Sequence, residues 1–531
     1  MLKRKWFLYM TEFFSGMSVM AIELGASRLL APYFSSSQIV WTIIIGAIMI
    51  AMALGNIWGG RLADKNPSPD KMYFRILIVA VWTAGIPFFG KYVIAAVSLI
   101  LAMLVGQNFL IWASLFSCIL LFVFPLMLLG SVSPALVKYA VKSLDENGKI
   151  VGELNALNTI GSIIGTFAPT FITIPAVGTA WTFIIFAGIL LIIALIYFIS
   201  EKRRLIGVSV MTAVAVLFAF LASNTGFAFW VNSGSTLYED ESVYNYLQVE
   251  ENENEIILST NVLFGVQSKT PKNGELTGMY YDYALASTYM AGVNEKDELK
   301  ILVLGMGTGT YAMQCYRYFD NTRIEGVEID KKIIDLAYER FGLARDERIK
   351  CVEFDGRAYL RTAGKYDIIM VDAYRDITIP FQMSSKEFFT EVKNHLTPDG
   401  VMIVNLNMRS SSEGSINDYI CDTVASVFGT VYTAESGGNL EVFASNNKDI
   451  AERFRQGYKA DYTKAELYEI MRTVDGALTE YEGGNLILTD DKAPVELLGM
   501  KVIDEIISDQ LKYYKQLFSG KSIREMIDML K

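Results

Sequence analysis

The sequence predicts a chain of two parts: an N-terminal polytopic all-α membrane domain and a C-terminal doubly wound α/β domain, with a small β subdomain at its start. Long apolar segments with few charges fill the chain up to about residue 225, which is the pattern of membrane-spanning helices. Beyond that point, short apolar runs alternate with helical segments, which is typical of a mostly parallel sheet. We therefore expect a transmembrane domain at residues 1–225, a β subdomain at 226–295 and a Rossmann-like domain at 296–531.

The charges of the chain are divided unevenly between these parts. Residues 1–225 contain 15 Lys and Arg against 8 Asp and Glu, whereas residues 226–531 contain 32 against 49. An acidic soluble half repels nucleic acid and attracts cations, so we expect no nucleic-acid partner. Solubility alone and a cationic substrate explain this acidity equally well.

The few cysteines and the single histidine argue against disulfide bonds, a zinc site and catalysis by a histidine-containing triad or pair. The four cysteines form no paired motif, and His395 is the only histidine. This pattern argues against a disulfide framework and a structural zinc site, and we expect no metal. It also argues against a Ser-His-Asp or Cys-His mechanism unless His395 takes part in it.

Seven or eight membrane-spanning helices are expected, because about 20 mostly apolar residues cross a bilayer. Residues 92–137 are uncharged and hold one span or two, and residues 154–200 are uncharged and break near 175–178 into two spans. The other predicted spans are Trp6–Phe34, Ile39–Ile57, Met72–Gly90 and Leu205–Leu221.

Glu23 and Arg28 both lie deep within the first predicted span. A charge there costs at least about 2.5 kcal/mol unless it faces protein or water. Either both line a polar cavity, or Arg28 reaches the membrane interface and Glu23 caps a neighbouring helix.

The soluble part begins with β-type runs between residues 242 and 270, and a helix starts at Tyr280. Strands then alternate with helices, and the carboxyl ends of parallel strands are where such sheets bind ligands. The predicted strands are Leu299–Leu304, Ile324–Ile329, Ile349–Phe354, Tyr366–Val371 and Val401–Asn405, and the predicted helices are Tyr311–Tyr318, Lys331–Phe341 and Lys386–His395.

A glycine-rich loop follows the first of these strands, and its key positions are Gly305, Gly307, Thr308 and Gly309. Glycines there let the backbone turn tightly and approach a ligand closely. Thr310 stands where a dinucleotide-binding loop carries its last glycine, so NAD is the less suitable ligand.

Two acidic positions at the ends of the next strands complete this pattern. Glu328 lies 23 residues after Gly305, where a carboxylate can accept hydrogen bonds from both ribose hydroxyls. Asp355 and Gly356 follow the third strand, where an adenine edge could be recognised. Together with the loop, these residues favour an adenosyl ligand.

Asp372 ends the fourth strand and is expected at the same edge of the sheet. A carboxylate there can bind an ammonium, or take its proton as the nitrogen attacks an electrophilic carbon. Alternatively, Asp372 only caps a helix or pairs with Arg375.

At these residues the chain resembles the spermidine synthase family, the polyamine aminopropyltransferases, and in particular its membrane-fused bacterial branch. The resemblance covers nearly the whole chain and implies a Rossmann-like, methyltransferase-type fold. The matching segments are the glycine-rich loop, Val327–Asp330, Asp355–Arg357 and Val371–Asp372 in the soluble half, and Ile22–Phe34, Gly59–Asp64, Gly130–Pro134 and Gly161–Phe167 in the membrane half.

The resemblance also implies the roles of individual residues. The glycine-rich loop, Glu328 and Asp355 with Gly356 would bind decarboxylated S-adenosylmethionine, with no covalently bound cofactor. Asp372 would be the base for a polyamine acceptor such as putrescine, helped by Tyr280. Further substrate-binding positions would be Asn245, Tyr281, Asp282 and Asp376.

Three positions differ from the soluble members of that family. Thr308 stands where they carry the aspartate that holds the aminopropyl ammonium, Asp376 lies one residue further from Asp372 than its counterpart, and Asn245 replaces a glutamine. A hydroxyl at position 308 leaves methyl transfer from ordinary S-adenosylmethionine to a lipid or amine as an alternative. A transporter whose soluble domain senses adenosyl compounds or polyamines is a third hypothesis.

The expected partners are a small amine and the lipid bilayer, and the resemblance allows a homodimer. Basic clusters at residues 3–5, 61–75, 138–149 and 202–204 should be cytoplasmic. Seven spans satisfy all four and put the soluble part outside, whereas eight put it inside and leave two basic loops on the wrong face. An intracellular cosubstrate favours a multi-pass protein of the cell membrane with a cytoplasmic catalytic domain.

Overall fold

A computed structural model of the chain describes residues 5–105, 108–141, 147–223, 236–261, 266–373, 379–407, 413–460 and 464–502. The chain divides into two compact units. The first contains residues up to 234 together with 239–247 and 261–263, and the second contains residues 235–238, 248–260 and 264 onward. The three regions expected from the sequence (1–225, 226–295 and 296–531) stay a prediction.

The first unit is mainly helical. Short π-helical turns at Ile119–Val123 and Pro169–Thr173 join α4 to α5 and α7 to α8. The helices are α1 (Lys5–Phe34), α2 (Gln38–Lys65), α3 (Pro69–Leu104), α4 (Phe109–Cys118), α5 (Phe124–Gly130), α6 (Val132–Ala140), α7 (Asn147–Ala168), α8 (Ile174–Glu201) and α9 (Leu205–Ser223).

Six helical stretches among the described residues are long and apolar enough to cross a membrane. One of them, Asn147–Glu201, has 55 residues, far more than the about 20 needed for one crossing. Gly178 interrupts it with φ 81° and ψ 172°, a conformation that glycine adopts without a steric penalty. Counting the two parts of this stretch separately gives seven crossing segments in the described ranges.

The end predicted for a span at Gly90 is wrong, because α3 continues through Gly90 and Lys91 to Leu104. A Cβ added at Gly90 would lie 3.3 Å from Leu29. This glycine therefore allows close helix packing and does not end the helix.

Helix α1 packs against α7 along two glycines. A Cβ added at Gly161 would lie 2.0 Å from the carbonyl oxygen of Phe13, and one at Gly165 would lie 2.0 Å from that of Met17. Helix backbones come this close only where small residues face each other.

Ion pairs lie at one end of these helices. Lys138 in α6 pairs with Asp64 in α2, and Arg203 after α8 pairs with Asp70 at the start of α3, both at 2.9 Å. Three of the basic loops identified in the sequence therefore share one end of the bundle.

Different contacts lie at the other end of the same unit. The buried carboxylate of Glu241 accepts hydrogen bonds from the backbone N–H of Thr179 (2.5 Å) and from its hydroxyl (2.6 Å). Arg28 donates to the carbonyl oxygen of Val243. Glu23 is half-buried within α1.

A small four-stranded sheet has the order β1-β2-β3-β4. Strands β3 and β4 pair antiparallel, in agreement with the β-type runs predicted for this region. The strands are β1 (Thr236–Glu241), β2 (Tyr246–Glu251), β3 (Glu255–Thr260) and β4 (Ser268–Pro271).

The second unit is built on an eight-stranded sheet with the order β12-β10-β11-β9-β8-β5-β6-β7. Its strands are β5 (Leu299–Leu304), β6 (Thr322–Glu328), β7 (Ile349–Glu353), β8 (Tyr366–Val371), β9 (Leu396–Leu406), β10 (Thr430–Ser436), β11 (Asn439–Ser445) and β12 (Thr479–Glu480). Its helices are α10 (Tyr280–Ala284), α11 (Ala286–Met290), α12 (Thr310–Tyr318), α13 (Lys331–Glu339), α14 (Gly356–Leu360), α15 (Lys386–His395), α16 (Ile416–Ala425), α17 (Ile450–Ala460) and α18 (Ala465–Ala477).

The order of the parallel strands creates the crevice where a ligand can bind. From β5 the chain moves outward through β6 and β7, then returns to place β8 on the other side of β5, and all four strands pair in parallel. Ligands of such sheets bind where the strand order reverses, here at the carboxyl ends of β5 and β8. The predicted doubly wound fold is confirmed, while β10 to β12, which pair antiparallel, were not predicted.

Candidate active site

The glycine-rich loop connects β5 to α12 at the crevice. Gly305, Gly307 and Gly309 all have positive φ, between 56° and 83°, which residues with side chains rarely adopt. A Cβ at Gly305 would lie 2.5 Å from Cα of Ala373. The loop thus passes directly beside the backbone that follows β8, and this close approach requires glycine.

Glu328 at the end of β6 is buried under this loop. One carboxylate oxygen accepts a hydrogen bond from the backbone N–H of Gly307 at 3.0 Å, and the other accepts one from Asp330 at 3.0 Å. Burial raises the pKa of Glu328, and the two backbone donors partly oppose that rise. The carboxylate is therefore fixed in position beside the loop.

The segment after β7 lies beside the end of β6, because the backbone N–H of Phe354 donates to the carbonyl oxygen of Glu328 at 3.1 Å. Asp355 is the next residue. Its side chain accepts from the N–H of Ala358 at 2.8 Å and caps α14. Gly356 begins that helix, and a Cβ there would lie 3.4 Å from Met383.

Three exposed apolar side chains near these strand ends were missed by the sequence reasoning. Ile329, Phe354 and Phe381 are 36 %, 50 % and 49 % exposed. Ile329 follows β6 and Phe354 follows β7, so both lie at the rim where an adenine ring would need apolar contacts. For Ile329 and Phe354 the signal was present in the sequence, since they directly neighbour Glu328 and Asp355.

Asp372 follows β8 and is held from two sides. The hydroxyl of Tyr280 donates to one carboxylate oxygen at 2.7 Å, and the side-chain amide of Asn405 donates to the other at 2.8 Å. Tyr280 is itself buried and packs against Tyr281, with ring centroids 4.0 Å apart and ring planes tilted by 35°. These contacts orient both oxygens of Asp372 at the crevice.

The pKa of Asp372 is raised to about 7. Removal from water is the main cause, and the negative charge of Glu328 adds to it, while the hydrogen bonds from Tyr280 and Asn405 oppose it. A carboxylate with a pKa near neutral pH is suited to accept a proton during a reaction.

Thr308, in the middle of the loop, contributes no charge. Its backbone N–H donates to the hydroxyl of Ser268 at 3.4 Å, and its own hydroxyl lies 3.4 Å from that of Thr310. The hydroxyl of Thr310 in turn donates to the carbonyl of Lys269 at 3.1 Å. Strand β4 therefore packs against the loop through neutral hydrogen bonds.

The remaining predicted positions lie in several places. The buried carboxylate of Asp282 accepts three hydrogen bonds, two from Thr277 and one from the N–H of Gly278, and so stabilises the turn before α10. The side chain of Asn245, between β1 and β2, accepts from Asn261 at 3.0 Å. Asp376 lies outside the described residues, and the substrate contacts expected of these positions stay predictions.

Asn405 is a further site residue that the sequence reasoning missed. It lies near the end of β9, just as Asp372 follows the end of β8. Its side-chain amide oxygen accepts a hydrogen bond from the side-chain amide of Asn439 at 2.8 Å. The rule that identified Asp372, a polar residue ending an apolar strand, also applies to Asn405.

The fold and these contacts define a group-transferring enzyme of the Rossmann-like class, with a glycine-rich loop, a buried glutamate and an acidic residue at the strand-reversal crevice. Comparisons with known proteins agree. A family model described as spermine/spermidine synthase domain matches residues 283–435. The chain is 47 % identical over 346 residues to a probable polyamine aminopropyl transferase of Bifidobacterium longum, covering 62 % of this chain and 76 % of that protein.

A second relative, the polyamine aminopropyltransferase of Vibrio vulnificus, is 26 % identical over 302 residues, covering 54 % of this chain and 98 % of that protein. Among solved structures, a probable spermidine synthase from Corynebacterium glutamicum is similar, with a TM-score of 0.36 and 18 % identity over 48 % of this chain and 99 % of that one. The chain belongs to the polyamine aminopropyltransferase family and is an aminopropyltransferase of the spermidine-synthase-like kind.

Proposed function

We propose that this enzyme transfers the aminopropyl group of decarboxylated S-adenosylmethionine to a small diamine such as putrescine. The observation that carries this proposal is the position of Asp372, which is held by Tyr280 and Asn405 at the same sheet edge as Glu328. A base and a ribose-binding carboxylate at one crevice are what transfer from a nucleoside sulfonium to an amine requires.

The donor would bind along the ends of β5, β6 and β7. Glu328 would accept hydrogen bonds from the ribose hydroxyls, and the loop with Gly305 and Gly307 would let the ligand approach the backbone. Asp355 would face the polar edge of the adenine, with Ile329 and Phe354 providing apolar contacts.

In the proposed reaction, the lone pair of a neutral acceptor nitrogen attacks the carbon beside the sulfonium sulfur. The new C–N bond forms as the C–S bond breaks, and methylthioadenosine leaves with the bonding electron pair. The proton lost by the nitrogen passes to Asp372, whose position between Tyr280 and Asn405 directs an oxygen at the crevice. The positive charges of both substrates suit this acidic site.

Methyl transfer is the second candidate, and Thr308 is the observation that favours it. A neutral hydroxyl at this position supplies no charge for the ammonium of an aminopropyl group. S-Adenosylmethionine would then be the donor, and an amine or lipid would be the acceptor.

Product identification separates these two functions. The full-length protein is offered decarboxylated and ordinary S-adenosylmethionine in turn, with putrescine, cadaverine, agmatine and spermidine, and the products are identified by mass spectrometry. We expect methylthioadenosine and an aminopropylated amine from the decarboxylated donor. If the ordinary donor gives adenosylhomocysteine and the decarboxylated donor gives no methylthioadenosine, the enzyme is a methyltransferase and the proposed aminopropyl transfer is wrong.

Activity should depend on pH through Asp372. A base with a pKa of about 7 is ionised above that pH and protonated below it, so kcat/KM should fall about tenfold for each pH unit below 7. Steady-state kinetics between pH 5 and 9 measure this limb, and methylthioadenosine binding, which needs no base, serves as the control. A kcat/KM that stays level down to pH 5 would show that the base has an ordinary carboxylate pKa.

The apolar helices support a second part of the proposal, that the first unit spans a cell membrane as a multi-pass protein. Seven crossings place residue 5 and residue 223 on opposite faces. The ion pairs at Lys138 and Arg203 gather basic loops at one end, which the positive-inside rule assigns to the cytoplasm. This supports an extracytoplasmic start for the segment after α9, in contrast to the cytoplasmic placement expected from the donor.

Fusions of alkaline phosphatase or green fluorescent protein to the C-terminus test this topology in bacterial cells. Alkaline phosphatase is active only outside the cytoplasm, whereas green fluorescent protein fluoresces inside it. For an extracytoplasmic C-terminal part we therefore expect phosphatase activity and no fluorescence. Fluorescence without phosphatase activity would restore the cytoplasmic placement. The homodimer expected from the family resemblance stays a prediction.

A further inference from the structure

Glu441 in β11 is a buried carboxylate for which the site described so far has no use. Its side chain is 0 % exposed, and neither carboxylate oxygen has a hydrogen-bond partner among the described residues. A buried acid without donors is destabilising. A buried carboxylate of this kind needs an explanation, and one explanation is that it binds a ligand.

The sheet register places Glu441 in line with the proposed base. Val371 pairs with Val404 across β8 and β9, so Asp372 and Asn405 follow these partners side by side. Glu441 is opposite Asn405 across β9 and β11. Asp372 and Glu441 are thus two strands apart, roughly 10 Å between their backbones at the usual strand spacing, and their side chains extend from the same row.

The strand order determines which part of a substrate could reach Glu441. The proposed donor site uses β5, β6 and β7, whereas Glu441 lies on the opposite side of Asp372. A nitrogen attacks carbon from the side opposite the departing sulfur. The rest of the acceptor therefore extends away from the nucleoside, toward β9 and β11.

The charges in this row also favour a cationic ligand. Burial, and then the neighbouring charge of Asp372, raise the pKa of Glu441 well above its usual range. Two nearby carboxylates in a dry environment do not both ionise unless a positive charge compensates them. A diamine brings one nitrogen for Asp372 and a second cationic nitrogen for Glu441.

We propose that Glu441 binds the distal ammonium of the acceptor and thereby selects short aliphatic diamines over monoamines. This inference rests on the proposed aminopropyl transfer. Because the side chain is covered in the unliganded protein, diamine binding is accompanied by a rotamer change of Glu441 or of the side chains above it.

The test compares putrescine with butylamine, which has the same carbon chain and lacks only the distal ammonium. In wild type, kcat/KM should be much higher for putrescine. Glu441→Gln should lower that preference by about tenfold to a hundredfold, the usual effect of losing one charge-assisted hydrogen bond. The change should appear in the KM for putrescine, with butylamine nearly unaffected.

Controls separate this role from a structural one. Glu435→Gln changes an exposed glutamate on the adjacent strand β10 and should leave the preference unchanged. Methylthioadenosine binding and thermal melting report on folding, and Glu441→Met provides a second variant if the glutamine variant is unstable. An equal loss with both amines, or an unchanged preference in a folded variant, would overturn the role of Glu441. Failure of wild type to form methylthioadenosine with any amine would instead overturn the proposed function.

Discussion

Replacing Asp372 by asparagine should lower kcat by about 10²- to 10⁴-fold, the usual contribution of a positioned general base. Asparagine has nearly the same shape and can still contact Tyr280 and Asn405, which hold the native carboxylate at 2.7 and 2.8 Å. It cannot accept the proton of the attacking nitrogen. Binding of methylthioadenosine should change little, because the nucleoside is held by the neighbouring strands.

Single-turnover kinetics with the decarboxylated donor and putrescine measure this effect, and calorimetry measures nucleoside binding. Asp335→Asn is a matched control, since Asp335 is an exposed aspartate of α13 that pairs with Lys331 at 3.1 Å. It should behave as wild type. If Asp372→Asn retains kcat within a few-fold of wild type, Asp372 is not the base and serves only to hold the crevice together.

Replacing Glu328 by glutamine should weaken methylthioadenosine binding and raise the donor KM by about a hundredfold. Each oxygen of Glu328 accepts a backbone N–H, one from Gly307 and one from Asp330. An amide has only one oxygen, so its NH₂ group would face one of these N–H donors, and the loop would lose its fixed position. A charged acceptor for the ribose hydroxyls is lost as well.

Glu325→Gln in the same strand is the matched control for this experiment. Glu325 accepts a hydrogen bond from Tyr366 at 2.5 Å and pairs with Lys350, and it lies at the centre of β6, three residues before Glu328. Its substitution should lower thermal stability without changing nucleoside affinity. Equal nucleoside affinity in Glu328→Gln and wild type, measured by calorimetry, would remove Glu328 from the donor site.

The parallel core of the catalytic unit could be predicted from the sequence because its signals are local. Strands β5 and β8 are mainly apolar and are followed directly by Gly305 and Asp372, while β6 ends at Glu328 and β7 lies just before Asp355. The carboxyl ends of such parallel strands meet at one edge. The placement of Glu328 and Asp372 at one edge of the sheet could therefore be predicted from their positions alone. The electrostatic coupling between them, in which Glu328 raises the pKa of Asp372, agrees with that expectation.

The other half of the sheet could not be predicted in the same way. Whether β11 lies beside β9 depends on long-range register, such as Glu441 opposite Asn405, which no local pattern specifies. For Asp282, the family resemblance implied a substrate-binding position, and its contacts in the structure are to the backbone and hydroxyl of the preceding turn. An acidic residue near a helix start satisfies backbone donors as readily as it binds a cation.

The membrane half shows the limit of hydropathy. Apolar composition identified the helical segments, but Gly90 was interpreted as an end when it is a packing position, and Gly178 supplies a break within the 55-residue stretch. A glycine can end a helix or allow a neighbouring helix to pack closely, and its tertiary contacts determine which of the two occurs. The number of spans therefore depends on tertiary packing as well as on length.

A structure of the protein with bound methylthioadenosine tests the central claim most directly. We predict that the ribose hydroxyls contact the carboxylate of Glu328 and that the sulfur points across the glycine-rich loop toward Asp372. A nucleoside bound elsewhere, or one whose sulfur faces away from Asp372, would contradict the account of a single crevice for donor and base.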